Sequence, residues 1–176
     1  MRLSGSIRAL AVAAHATLGA LSVAPADARA YEHELSLGIE TGIAHALGPE
    51  LPGVRAGIHA SYGIDDTWAI AAQLGYSIHP DASPLHVAEA AAELLYVIDV
   101  VRVVPYVGVG ASYFGTLVDQ QVGGEGGAHV VGGAHYYLSR AWAVGLDVRG
   151  HALFTALEEF PIYVTATLRL SWIQVL

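Results

Sequence analysis

The chain of 176 residues has no cysteine and no lysine, is 54% hydrophobic and only 14% charged, contains 20 glycines and carries a formal net charge of −8. Its length suits a single domain. So apolar a composition excludes a disordered tail, the missing cysteines exclude a disulfide scaffold or thiolate metal site, and the acidity excludes a basic nucleic-acid surface.

The first thirty residues read as a secretory signal peptide. Arg2 and Arg8 form a basic start, Ala9 to Val23 is an apolar run too short to span a bilayer, and Ala28-Arg29-Ala30 is a small-residue cleavage site. Cleavage after Ala30 would start the mature chain at Tyr31. It would leave five arginines against fifteen acids, about −10, which suits a Gram-negative envelope. The expected division is therefore 1–30 signal peptide and 31–176 one domain.

From Tyr31 onward the period is two. Leu35, Leu37, Ile39 and Ile43 alternate with Glu34, Ser36, Gly38 and Glu40, and Val54, Ala56, Ile58, Ala60 and Tyr62 with Arg55, Gly57, His59 and Ser61. Trp68 to Ile78 continues the pattern against Gln73, Ser77 and His79. The fourth segment, Leu85 to Val100, has helical propensity, with Glu89 and Glu93 four apart in an alanine-rich run. It is read as a strand because Ala90, Ala92, Leu94 and Tyr96 alternate with Glu89, Ala91, Glu93 and Leu95. Segments five to eight follow around Val107 to Tyr113, Val130 to Leu138, Trp142 to Val148 and Ile162 to Trp172.

Eight such strands in simple succession predict an all-β fold, an eight-stranded antiparallel up-and-down transmembrane β-barrel, since closure removes sticky edges. Tight turns are expected at Ile64 to Asp66, Asp99 to Arg102 and Ser139 to Ala141. Longer loops are expected at Ala46 to Gly53, His79 to Pro84, Thr116 to Gly127 and Thr155 to Pro161, and such asymmetry puts the short turns in the periplasm. The glycine-rich 123–127 stretch is expected to be part of a mobile extracellular loop, the longest of the connections, with a solvated tip; contact of Asp119 and Glu125 with a partner or with divalent ions bridging surface lipids is the alternative. Tyr62, Trp68, Tyr96, Tyr136, Trp142 and Trp172 share the apolar parity beside the short turns and would form a periplasmic aromatic girdle, with Tyr76, Tyr113 and Phe154 as a thinner outer one.

With these residues in place the sequence resembles the small eight-stranded outer-membrane β-barrels of the opacity-protein and OmpA-like type, over the whole mature chain. Pro105-Tyr106-Val107-Gly108-Val109-Gly110-Ala111 looks like the family's fifth strand. Leu138-Ser139-Arg140-Ala141-Trp142, leading into Gly145-Leu146-Asp147-Val148-Arg149, is similar to its sixth turn and seventh strand. The resemblance implies an outer-membrane location, contact with outer-membrane lipid and the barrel-assembly machinery as partner during biogenesis. Family members commonly end in Phe or Trp, whereas this chain continues from Trp172 to Leu176.

By parity the lumen receives Glu34, Glu40, Glu89, Glu93 and Asp147 against Arg55, Arg149 and Arg169. Arg149 is expected to be the hub for Glu40, Glu89 or Glu93, and Arg169 to lie beside Glu34. Inward His59, His129, His135 and His151 add titratable groups. A barrel of eight strands is just wide enough for side chains to fill it. The reading is thus a monomeric structural or surface-interaction protein with a plugged, charged lumen and an unidentified surface ligand. A narrow cation-preferring pore is the alternative and a lipid-modifying enzyme a distant third. The outward histidines, His45 and His86, have no serine beside them, while Ser61 with His59 and Ser112 with His135 face inward, so no catalytic residue is assigned. The histidine spacing matches no metal-ligand set, Gly108-Val109-Gly110 lacks the context of a dinucleotide loop, and no cofactor is implied.

Overall fold

The computed structural model describes residues 33–47, 51–98, 102–118, 121–154 and 162–176. The expected signal peptide, the loop at 155–161, and residues 48–50, 99–101 and 119–120 of the other connections, Asp119 among them, lie outside the described residues. Eight strands follow in order: β1 (Glu34–Ala46), β2 (Leu51–Gly63), β3 (Trp68–His79), β4 (Leu85–Val97), β5 (Val103–Val118), β6 (Gln121–Tyr137), β7 (Trp142–Leu153) and β8 (Ile162–Val175). Each pairs antiparallel with its neighbour, and β8 returns to β1 to close the barrel.

The register fixes its dimensions. Starting at Trp172 in β8, one row of paired residues runs through Leu37, Ala60, Ala72, Ala92, Ala111, Ala128 and Ala152 and re-enters β8 at Ile162. The row is displaced by ten residues after one circuit, which is the shear. With a rise of about 3.4 Å and a strand spacing of about 4.8 Å, this corresponds to a tilt of about 41° and a backbone radius of about 8 Å.

The period-two alternation sorts the side chains into an inverted protein. Arg55, Glu89, Glu93, Asp147, Arg149 and Arg169 are buried in the lumen, while Ile39, Ile43, Val54, Leu74, Val130 and Leu168 are among the most exposed residues. An apolar exterior and a polar interior are what a bilayer demands of a closed sheet. The helix-prone β4 obeys the same rule. Glu89 and Glu93 point inward and Ala88, Ala90 and Ala92 outward, so tertiary placement of the carboxylates overrides alanine's preference.

Two loop expectations are corrected. The 116–127 stretch is not a long mobile loop: β5 continues to Val118, β6 begins at Gln121, and Thr116↔Gly123, Gly115↔Gly124 and Phe114↔Glu125 are strand pairs. Glycine at 123–127 looked like a flexible tip, yet backbone pairing with β5 needs no side chain. Tyr113 lies over Gly124, where a Cβ would meet its hydroxyl, filling the space the glycine leaves. The length asymmetry is also smaller than expected, because strands absorb the loops: 47–50 is as short as 64–67, and 80–84 as short as 98–102. The outer end is marked instead by the eight-residue 154–161 connection and by the β5–β6 hairpin, whose residues Gln121 to Gly126 rise before the first β6–β7 pair, Gly127↔Leu153.

Candidate functional site

The lumen is layered. Toward the outer end, Ala44, Ala46, Leu85, Val87, Phe114, Leu153 and Tyr163 form one apolar cluster drawn from five strands. Toward the end carrying the short 64–67, 98–102 and 138–141 turns, Ala69, Leu95, Val97, Val104, Tyr106 and Val131 form a second. Between them lies a slab of charge.

Three arginines organise that slab. Arg55 donates through Nη1 to Glu89 Oε2 at 2.6 Å and through Nη2 to Glu40 Oε1 at 3.1 Å. Arg149 donates through Nε to Glu93 Oε1 at 2.6 Å and through Nη1 to Asp147. Arg169 donates through Nε to Glu40 Oε2 at 3.2 Å and reaches Asp147 Oδ2 at 3.4 Å. Neutral groups complete the set: Gln73 Nε2 donates to Glu89 Oε1 at 2.9 Å, and the Tyr106 hydroxyl to Asp147 Oδ2 at 2.7 Å.

The expected pairings are therefore redistributed. Arg149 holds Glu93, but Glu40 and Glu89 belong to Arg55. Arg169 does not sit beside Glu34; it is the cross-strand partner of Glu40, whereas Glu34 pairs in register with Val175 and accepts a hydrogen bond from Tyr137 at 2.7 Å. Six residues of strand, about 20 Å, separate the two positions on β1. The serine–histidine pairs also differ from expectation. His59 Nε2 is 2.9 Å from Ser171 Oγ rather than engaged with Ser61, and Ser112 Oγ lies 2.6 Å from His129 Nδ1 and 3.0 Å from His151 Nδ1 rather than beside His135. On the outer face His86 is hydrogen-bonded to the Tyr76 hydroxyl at 2.6 Å. Among the described residues no group of three or more histidines and carboxylates is arranged to hold a metal ion.

Large lumen side chains are seated on glycines. A Cβ on Gly75 would collide with the Arg55 guanidinium, one on Gly110 would stand 2.6 Å from His129 Cε1, and one on Gly38 2.6 Å from His59 Cε1. Likewise Tyr106 lies over Gly133 and His79 over Gly53. Sequence reasoning missed these seats and the roles of Gln73, His79, Tyr106 and Tyr163. Their inward parity was visible; their cross-strand partners were not.

The lipid face carries the aromatic residues. With the shear of ten, the Cα atoms of Tyr62, Trp68, Tyr96, Tyr136, Trp142 and Trp172 fall within about 6 Å of one plane normal to the axis. Tyr76 and Tyr113 lie about 20 Å above that plane and Phe154 about 27 Å, bracketing a band close to the apolar height of an outer-membrane barrel. Trp68 and Tyr96 meet edge to face, with ring centroids 5.3 Å apart.

The sequence profile of the outer membrane protein beta-barrel domain matches residues 13–172. The chain belongs to that family. Solved structures agree on the fold. The chain is similar to Neisserial surface protein A, with 14% identity, a TM-score of 0.63 and coverage of 81% of this chain and 96% of that one. It is also similar to the N-terminal β-barrel domain of Pseudomonas aeruginosa OprF (16%, 0.56, 83% and 100%). A third likeness is to Ail, the attachment invasion locus protein of Yersinia pestis, in complex with the heparin analogue sucrose octasulfate (12%, 0.59, 81% and 99%). No curated protein matches the chain in sequence. The protein is thus an outer-membrane barrel.

Proposed function

We propose that this barrel is a sealed, non-conducting outer-membrane protein that acts through its outer surface rather than through its lumen. The observation that carries this reading is a slab of paired charges held between two apolar layers. An apolar constriction excludes water, and Phe114 and Tyr163, with ring centroids 5.3 Å apart, stand across the outer one. The nine aromatic residues of the lipid face act as girdles that hold the barrel at a fixed depth. The assembly machinery and surrounding lipid are its partners, and the monomer is its working form.

In sequence the outer connections are acidic: Glu50, Asp81, Asp119, Glu125, Glu158 and Glu159 fall in or beside them, with no arginine or lysine. A polyanion such as the heparin analogue held by Ail is a poor electrostatic match for such a rim. A cationic partner, or divalent ions bridging the rim to anionic surface lipid, matches it better.

An enzymatic role is the weakest reading. Ser112, His129 and Glu93 have the residue types of a hydrolytic triad, with His129 Nε2 3.2 Å from Glu93 Oε1. Yet Ser112 is buried on the inward face of β5, as is Phe114 two residues on, and its hydroxyl is already engaged by His129 and His151.

Planar-bilayer recording of the refolded protein tests the sealed reading. Silence is expected from the native chain, and discrete steps from the Phe114→Ala/Tyr163→Ala double variant, which thins the outer layer. Reproducible steps from the native chain, with a cation preference that falls in Glu89→Gln/Glu93→Gln, would replace the sealed barrel by a small pore.

A further inference from the structure

The charged slab does not balance by its carboxylates and guanidiniums alone. Glu40, Glu89, Glu93 and Asp147 face Arg55, Arg149 and Arg169, and all seven side chains are essentially removed from solvent. With every histidine neutral, one negative charge would remain uncompensated in a sealed, low-dielectric space, a costly state that proteins avoid.

One imidazole is placed to cancel it. His129 has Nε2 3.2 Å from Glu93 Oε1 and Nδ1 2.6 Å from Ser112 Oγ, so both ring nitrogens face groups that accept. What sets it apart is the carboxylate within hydrogen-bond reach: His59 meets Ser171, His79 the Leu51 carbonyl and Tyr163, His135 Nε2 has no partner, and His151 Nε2 stands 3.8 Å from Glu89. The charged and titratable groups facing His129 are Glu93 and Glu89 from β4, Arg149 and His151 from β7, and Arg55 from β2 beyond Glu89. Its ring lies over Gly110 and 4.8 Å, centroid to centroid, from that of His151.

We propose that the sealed lumen is a proton-binding site, in which one proton on His129 balances the buried cluster and is shared through Ser112 with His151. In the first arrangement His129 carries hydrogen on both nitrogens, donating to Glu93 and to Ser112 Oγ, while the Ser112 hydroxyl donates to His151 Nδ1. Transfer moves the His129 Nδ1 proton to Ser112 Oγ as the serine's own proton passes to His151 Nδ1. His129 is left neutral, still donating from Nε2 to Glu93. His151 is then the cation, with Nε2 3.8 Å from Glu89 Oε1, and its present lack of a hydrogen-bond partner leaves that nitrogen available to turn toward Glu89. The charge has moved from beside one carboxylate to beside another, with no atom lost or gained.

Nitrogen NMR of the full chain, labelled at histidine and folded in lipid nanodiscs, tests this at pH 8. An ordinary histidine is then only about 3% protonated. One imidazolium of more than half occupancy is expected, shared by His129 and His151; His129→Gln should leave it on His151 alone, and His129→Gln/His151→Gln should abolish it. Glu93→Gln provides an independent arm: with three carboxylates against three guanidiniums the imidazolium should vanish although His129 is intact. Ser112→Ala should keep the imidazolium and confine it to His129. Heat-modifiable gel migration establishes that each variant has folded. Neutral signals from all histidines of the folded native chain, or an imidazolium that survives Glu93→Gln or the His129→Gln/His151→Gln double variant, would overturn the proposal.

Discussion

Replacing Arg55 by Met should be among the most damaging conservative changes to the lumen. Its guanidinium links two carboxylates, and breaking a buried pair by removing one partner costs about 3–5 kcal/mol, chiefly through the charge left behind. The two carboxylates are not left equally bare. Glu40 keeps Arg169 at 3.2 Å, whereas Glu89 keeps only the Gln73 amide at 2.9 Å and His151 at 3.8 Å. The loss should therefore be about 4 kcal/mol, most of it from Glu89, and adding Glu89→Gln should restore about 2 kcal/mol. Arg149→Met should cost less, about 3 kcal/mol, because Asp147 retains Tyr106 and Arg169 and Glu93 retains His129. Equilibrium urea unfolding from lipid vesicles, followed by tryptophan emission and gel migration, measures all of these. A loss below about 1 kcal/mol for Arg55→Met, or no recovery on adding Glu89→Gln, would refute the claim that the slab is held by these pairs.

Depth in the membrane gives a second expectation. Ile58 lies about midway between the aromatic planes and Tyr62 at the lower one, so arginine should cost about 2–4 kcal/mol at 58 and no more than about 1 kcal/mol at 62; equal costs would contradict the placement. The glycine seats give a third. Gly75→Ala should displace the Arg55 guanidinium and destabilise by about 1–3 kcal/mol, while Gly115→Ala, where an added Cβ meets nothing within 4 Å, should be neutral in the same unfolding assay.

Much of the architecture was legible because the bilayer imposes its demand residue by residue. Alternation alone identifies which side chains of β1, β7 and β8 face lipid, and it overrules the helical propensity of Ala90 to Glu93. Parity, however, assigns a face and not a height. Arg169 and Glu34 share the inward face, but which row each occupies is set by closure of all eight strands, and the shear is a property of the whole circuit. The Arg55–Glu89 pair crosses from β2 to β4 and skips a strand, so no local spacing could announce it. The hairpin at 121–127 failed for a different reason: glycine lowers the local preference for any structure, and the pairing partners that order it lie on β5.

The glycine seats bear on how the chain finds one pairing among many. Sliding β2 past β3 by two residues would keep every aliphatic side chain in lipid and every polar one inside, so hydrophobicity barely distinguishes the slipped sheet from the native one. The seats do distinguish it. After such a slip the Arg55 guanidinium would meet the side chain of Gln73 or Ser77 instead of the bare backbone of Gly75, and its two carboxylates would no longer converge on it. Pairs of one very large and one very small residue, spread over successive strands, thus work like the wards of a lock, admitting a single alignment of a sheet whose outer surface would tolerate several.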